Sequence, residues 1–147
     1  MAAIWSTDPT GGWKLLPTAG FPDEDTLHTL VEQGPQLLPL AGSPRLAIVG
    51  REVRLGSGSA DLIAVEPSGR VVVIEVKLAA NAEARRAVVA QVLAYAAHLH
   101  GLTPAQLEAE VLGQHLRSRE YESLFAAVTD ASQDQSTDEA HRRLMRD

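Results

Sequence analysis

The stretch ADLIAVEPSGRVVVIEVK, Ala60 to Lys77, decides the fold of this chain. Val71–Lys77 is dense in β-branched residues, and Ala60–Glu66 alternates well enough to pair with it. Between them, Pro67-Ser68-Gly69 suits a three-residue hairpin loop, a type I turn closed by a glycine at positive φ. That loop fixes the register, because Glu66 then opposes Arg70. Val65 meets Val71, Ile63 meets Val73 and Asp61 meets Glu75. Lys77 follows two residues further along the same face.

Two carboxylates directly opposed on a sheet repel each other. A hard divalent cation between them relieves the repulsion, because magnesium takes oxygen ligands. A lysine ammonium alongside can orient or polarise a water held by that metal. The alternative is a half-exposed hairpin whose charges face solvent.

Asp61 followed by Glu75-Val76-Lys77 resembles the signature of the PD-(D/E)xK nuclease superfamily. Gln91 and Tyr95, in Gln-Val-Leu-Ala-Tyr, resemble the QxxxY motif of its RecB-like branch. The similarity runs from about Asp23 to His100 and departs at Ala60, where the superfamily name has proline. It implies an α/β domain with a restriction-endonuclease-like core. In that core a central mixed sheet carries the 60–77 hairpin and is flanked by helices. It also implies Mg2+, or Mn2+, on Asp61, Glu75 and the Val76 carbonyl, with Lys77 helping to activate the attacking water.

The first helix is expected to start at Asp23 or Asp25 as cap and to end at Gly34-Pro35. Leu27, Leu30 and Val31 form its apolar stripe. At about 100° per residue, Glu24 lies about 65° from the stripe's centre and Glu32 about 150° away, so Glu24 is the acid that looks inward. In relatives similar to the NucS endonucleases an acidic residue opens this helix and a proline follows it. Glu24 and Pro35 stand in that relation, which implies that Glu24 joins the metal site. The alternative is that Glu24 only favours the positive end of the helix dipole.

At 147 residues the chain is about one domain, long enough for a real core. Its 45% apolar and 22% charged residues fit a soluble globular protein. The absence of cysteine excludes disulfides, thiolate metal sites and thiol nucleophiles. MAAIWSTDPTGGW lacks the basic start and apolar run of a signal peptide, and no stretch reaches the length of a membrane span. A cytoplasmic protein without membrane partners is the expectation. The net charge of −6 argues against a general basic coat for nucleic acid. Arg45, Arg51, Arg54, Arg70, Lys77, Arg85 and Arg86 nevertheless gather around the hairpin. They form either a local groove for phosphate, in which Arg54 would contact DNA, or ordinary surface cations.

Residues 1–22 read as an extended arm pinned by Trp5 and Trp13. Residues 23–130 form the nuclease-like domain, and 131–147 a polar loop and the start of a truncated segment. Within the domain, residues 45–54 read as a strand with a bulge at Gly50. Gly56 and Gly58 would leave room beside Asp61 for close approach of a substrate backbone. A long helix runs from about Ala82 to His100, capped by Asn81 and stopped by Gly101, with Val89, Val92, Leu93, Ala96 and Leu99 on its apolar face. Gln91 and Tyr95 lie at the edge of that face. They either reach toward Lys77 or a phosphate, or Tyr95 is an edge residue with a buried ring. Thr103-Pro104-Ala105-Gln106 starts a helix to about His115, and another covers about Glu120–Val128.

No strand is legible after residue 100. Either the returning strand of the core lies beyond Asp147, or a partner chain covers the sheet edge, a homodimer through that edge being one case. The histidines have no zinc-site spacing and no G-x-S-x-G elbow exists. Metal-dependent phosphodiester hydrolysis of DNA, in repair or defence, is the function that the resemblance implies. The alternative is a nuclease-like module that no longer cuts and binds DNA or a partner protein.

Overall fold

The chain reversal at Pro67-Ser68-Gly69 sets the geometry around it. In a computed structural model, which describes residues 5–7, 12–15, 20–41, 45–78 and 82–133, Gly69 sits at φ +86°. Its N–H donates to the Glu66 carbonyl, and the Glu66 N–H donates to the Arg70 carbonyl, each at 2.9 Å. The elements in chain order begin with β1 (Trp5–Thr7), β2 (Trp13–Leu15), α1 (Glu24–Gln33) and β3 (Ala47–Leu55). Then come β4 (Gly58–Val65), β5 (Val71–Ile74) and α2 (Ala82–Leu99). A last helical run comprises α3 (Pro104–Gln106), a π-helical turn (Leu107–Leu112), α4 (Gly113–Ser118) and α5 (residues 124–133).

The hairpin register is the expected one: Val65 opposes Val71, Ile63 opposes Val73 and Leu62 opposes Ile74. Two bounds differ. β4 starts at Gly58, because Gly56, at φ +61°, and Ser57 turn the chain back from β3 in two residues. β5 stops at Ile74 instead of running to Lys77. The reason lies in Asp61, whose side chain takes a backbone group that the ladder would otherwise use. β3 pairs with β4 and slips between Ile48 and Gly50, the bulge read from Gly50.

The sheet is antiparallel throughout, in the order β3-β4-β5, and not mixed; no strand follows β5 among the described residues. The protein is thus an α/β fold with a three-stranded antiparallel sheet flanked by helices. Nor are all of residues 1–22 an extended arm. β1 and β2 pair antiparallel, Trp5 opposite Leu15, and each strand satisfies main-chain groups of the other.

Asp23 caps α1, its carboxylate accepting the Thr26 N–H at 2.7 Å, and Gly34 ends the helix. The buried residues of α1 are His28 and Val31, whereas Leu30 is 40% exposed. The inward face is therefore centred on the His28–Val31 edge and not on the Leu27-Leu30-Val31 stripe.

α2 departs in the same way. Val89 and Leu93 are 59% and 65% exposed, while Tyr95 is 6% exposed and Leu99 packs beside it. The ring of Tyr95 settles over Gly58, where a Cβ would come within 2.7 Å of its hydroxyl. Gly101, at φ +83°, ends the helix as expected; Asn81 lies outside the described residues. Thr103 and Gln106 form the expected capping box. That run continues past His115 to Ser118, and α5 carries helix through Gln133, into the stretch read as loop.

The sheet separates two apolar clusters. Val31, Leu46, Leu62, Ala64, Ile74 and Val76 pack on the α1 side. Val49, Val53, Ile63, Tyr95, Leu112 and Leu116 belong to the cluster on the other side. Strand alternation should keep Val53 and Ala60 on the same face as Arg51 and Leu62. It does not: Val53 and Ala60 join the α2 side, whereas Leu62 and the ion pairs of Arg51 belong to α1. The change of face occurs at Glu52, whose φ is +50°, and Asp61 is the position opposite it on β4.

Candidate active site

Asp61 stands where β4 and β5 part. The ladder ends at Leu62 and Ile74, and one residue on, the Asp61 carboxylate accepts the backbone N–H of Val76 at 2.7 Å. Residues 75–78 are thereby held along the sheet without belonging to it. Glu24, the first residue of α1, ties down the same segment from the other direction. One of its carboxylate oxygens accepts from the Lys77 Nζ at 3.0 Å and the other from the Leu78 N–H at 3.3 Å.

The electrostatics follow from these contacts. Burial pushes the Glu75 carboxyl above its ordinary value, the charge of Asp61 adds to the shift, and the Asp61 N–H and Lys77 pull the other way. Among the described residues, one Glu75 oxygen, Oε2, is buried with no hydrogen-bond partner, which is costly for a carboxylate. The hydrogen bond to Glu24 raises the Lys77 pKa, and the nearby charges of Asp61 and Glu75 add to it. The Glu24 carboxyl is correspondingly lowered, first by Lys77 and then by the Leu78 N–H. Lys77 is therefore an ammonium at neutral pH, able to donate hydrogen bonds and unable to take a proton.

Asp61, Glu75, Lys77 and Glu24 thus come together, with Val76 bonded into the group through its N–H. Among the described residues, no three His, Asp or Glu side chains are grouped so that they alone could hold a metal ion. The donor set still fits a small hard cation. It offers two adjacent carboxylates, one with an oxygen that lacks a partner, and magnesium keeps several waters when it binds through one or two carboxylates.

Other expectations are not met. Tyr95 and Gln91 make no hydrogen bond to Lys77 among the described residues; the Tyr95 ring is core, packed on the space that Gly58 leaves. That space is filled by the protein and is not open for a substrate backbone. Among the described residues around the hairpin, Arg51 pairs with Asp25 and Glu32, Arg70 with Glu66, and Lys77 with Glu24. Arg54 is exposed and has no ion pair among the described residues; the Arg85 side chain lies outside them. Glu32, read as facing outward, is instead half-buried between Arg51 of β3 and Arg119 beyond α4. Burial pushes its carboxyl up, but the bonds from the two arginines outweigh this and hold it below its ordinary value.

His28 is the site neighbour that the sequence reading passed over. It is 7% exposed, and its Nε2 lies 3.1 Å from the backbone carbonyl of Asp61. The available signal was its spacing, one helical turn after Glu24 on the same face.

No protein-family model, curated protein or solved structure matches this chain. No described helix is long and apolar enough to cross a membrane.

Proposed function

We propose that this protein hydrolyses phosphodiester bonds in a metal-dependent reaction, with DNA as substrate and repair or defence as the setting. The observation that carries the reading is the buried, unpartnered Glu75 oxygen beside the Asp61 carboxylate, with the Lys77 ammonium close by. Two like charges held together in a half-buried place call for a counter-cation. Asp61 and Glu75 would hold Mg2+ or Mn2+, and the resemblance adds the Val76 carbonyl. When bound, the cation lowers the pKa of its water and stabilises charge on the scissile phosphate.

The residues of the chain divide the remaining work. Lys77, kept protonated by Glu24, orients the attacking water and adds positive charge beside the phosphate. Glu24 has both oxygens engaged by Lys77 and Leu78, which favours its holding Lys77 over a direct place on the metal. Arg54, exposed on β3, is the candidate for contact with a DNA phosphate.

A module that binds without cutting is the second reading. It is favoured by the Lys77–Glu24 pair, which leaves the ammonium less free to serve a reacting water or phosphate. Titration of Mg2+ and Mn2+ against single-stranded, branched and mismatched DNA separates the two. Cleavage that needs the metal and disappears in Asp61→Ala and Lys77→Ala is the expected result. Binding of DNA by the wild type with no cleavage at any metal concentration would establish the second reading instead.

A further inference from the structure

We propose that His28 is a positioning residue of the Asp61–Glu75 site, acting through the Asp61 peptide. The inference rests on the metal-dependent reading for its functional meaning and on geometry for its substance. A carbonyl oxygen only accepts, so the Nε2 atom 3.1 Å from the Asp61 carbonyl carries the proton. His28 is buried among the packing of α1 on the sheet, where an imidazole without this bond would be costly.

The bond pins the backbone of Asp61 from the helix side, while the Asp61 carboxylate is pinned by the Val76 N–H across the hairpin. Glu24, one turn earlier, grips Lys77 and Leu78. α1 therefore clamps both strands where they part: His28 holds Asp61, and Glu24 holds the segment after Glu75. Without the His28 bond, the Asp61 peptide is free to rotate, its carboxylate leaves Val76, and the two carboxylates lose their common geometry.

The shape of imidazole provides the test. Gln places a side-chain N–H near the position of Nε2, whereas Asn mimics only Nδ1 and Leu supplies bulk without a donor. Amide hydrogen exchange is measured at Val76, with Leu62 and Ile63 as internal references, and Mn2+ affinity by calorimetry. His28→Gln should match the wild type in both. His28→Asn and His28→Leu should exchange faster at Val76 alone and bind Mn2+ about 10–100-fold more weakly, the range for residues that orient metal ligands. If His28→Leu does not fold, the Gln and Asn variants decide between them. Equal Val76 exchange in all variants, or a Gln variant no better than Asn, overturns the proposal. A wild type that binds no Mn2+ sinks the metal reading, and the Val76 exchange still decides whether His28 positions Asp61.

Discussion

The Asp61 carboxylate reaches the Val76 N–H at 2.7 Å and so continues, with a side chain, a pairing that the backbone abandons one residue earlier. This contact joins the structural role of Asp61 to the chemical role proposed for it, and the two are separable. Asp61→Asn keeps an acceptor for Val76 and should fold like the wild type, yet lose any stabilisation by Mn2+. Asp61→Ala loses the acceptor as well and should be destabilised by about 1.5–3 kcal/mol, the usual worth of a hydrogen bond to a charged group. Thermal unfolding with and without Mn2+ measures both effects.

Glu75 yields a prediction of unusual sign. Its carboxyl is raised by burial and by Asp61, so the folded state holds the proton more tightly than the unfolded chain does. Stability is then fullest below the ordinary glutamate value of 4.5 and falls as pH climbs from there through the raised value. Glu75→Gln should therefore raise Tm by a few degrees at pH 7 in EDTA, and the gain should vanish at pH 4. With Mn2+ the order should reverse, because only the wild type gains from binding. A Gln variant less stable than the wild type in EDTA would show that the Asp61 N–H bond outweighs the repulsion.

Lys77 should matter far more to cleavage than to folding. Its pair with Glu24 is solvent-facing, so Lys77→Ala should alter stability by no more than about 0.5 kcal/mol. The stabilisation is flat near neutrality. It fades as pH falls below 4.5 through the lowered Glu24 value, and as pH rises above 10.5 through the raised lysine value. A pH–rate profile should accordingly show no alkaline fall from Lys77 below 10.5. A rise in rate near pH 8 that is lost in Lys77→Arg would mean that the lysine acts as a base after all.

The Glu32 cluster is a test of structure alone. Asp25 and Glu32 both pair with Arg51, but the side chains are 82% and 18% exposed. Glu32→Ala takes the carboxylate from Arg119 and leaves Arg51 only the exposed Asp25, and should cost about 1–3 kcal/mol in urea unfolding, less than for a fully buried pair. Asp25→Ala should stay within about 0.5 kcal/mol. Because the Glu32 carboxyl is lowered, its contribution is present above 4.5 and is lost as pH falls through its folded value, so the variant should be less sensitive to acid than the wild type.

Gly58 and Tyr95 should behave as one unit. Gly58→Ala puts a methyl 2.7 Å from the Tyr95 hydroxyl and should cost about 1–3 kcal/mol. Adding Tyr95→Phe should recover part of that, since two ring carbons would remain at 3.0 and 3.3 Å. A double-mutant cycle on thermal stability measures the coupling.

Local chemistry made much of this legible in advance. The Pro67-Ser68-Gly69 loop has one comfortable register, and that register brought residues 61 and 75 together. Asp23 and Gly34 marked the ends of α1 because caps act within a few residues. What escaped was decided by partners remote in the chain. Glu32 turned inward because Arg51 and Arg119 meet it there, and a helical wheel contains neither. Leu93 was left outside because the sheet accepts Tyr95 over a glycine, a fit set by shape and not by hydrophobicity. β5 stopped early because a side chain on β4 competes for its amide, which no strand propensity expresses.

The left-handed residue at Glu52 has a consequence of its own. A ribbon that keeps its pleat offers a residue two habitats, oil or water. One that rolls over midway gains a hinge line where neither prevails, and Asp61 is the residue on that line. It is sheltered enough for its carboxylate to hold the Val76 amide across the hairpin, and it still keeps part of its surface in water.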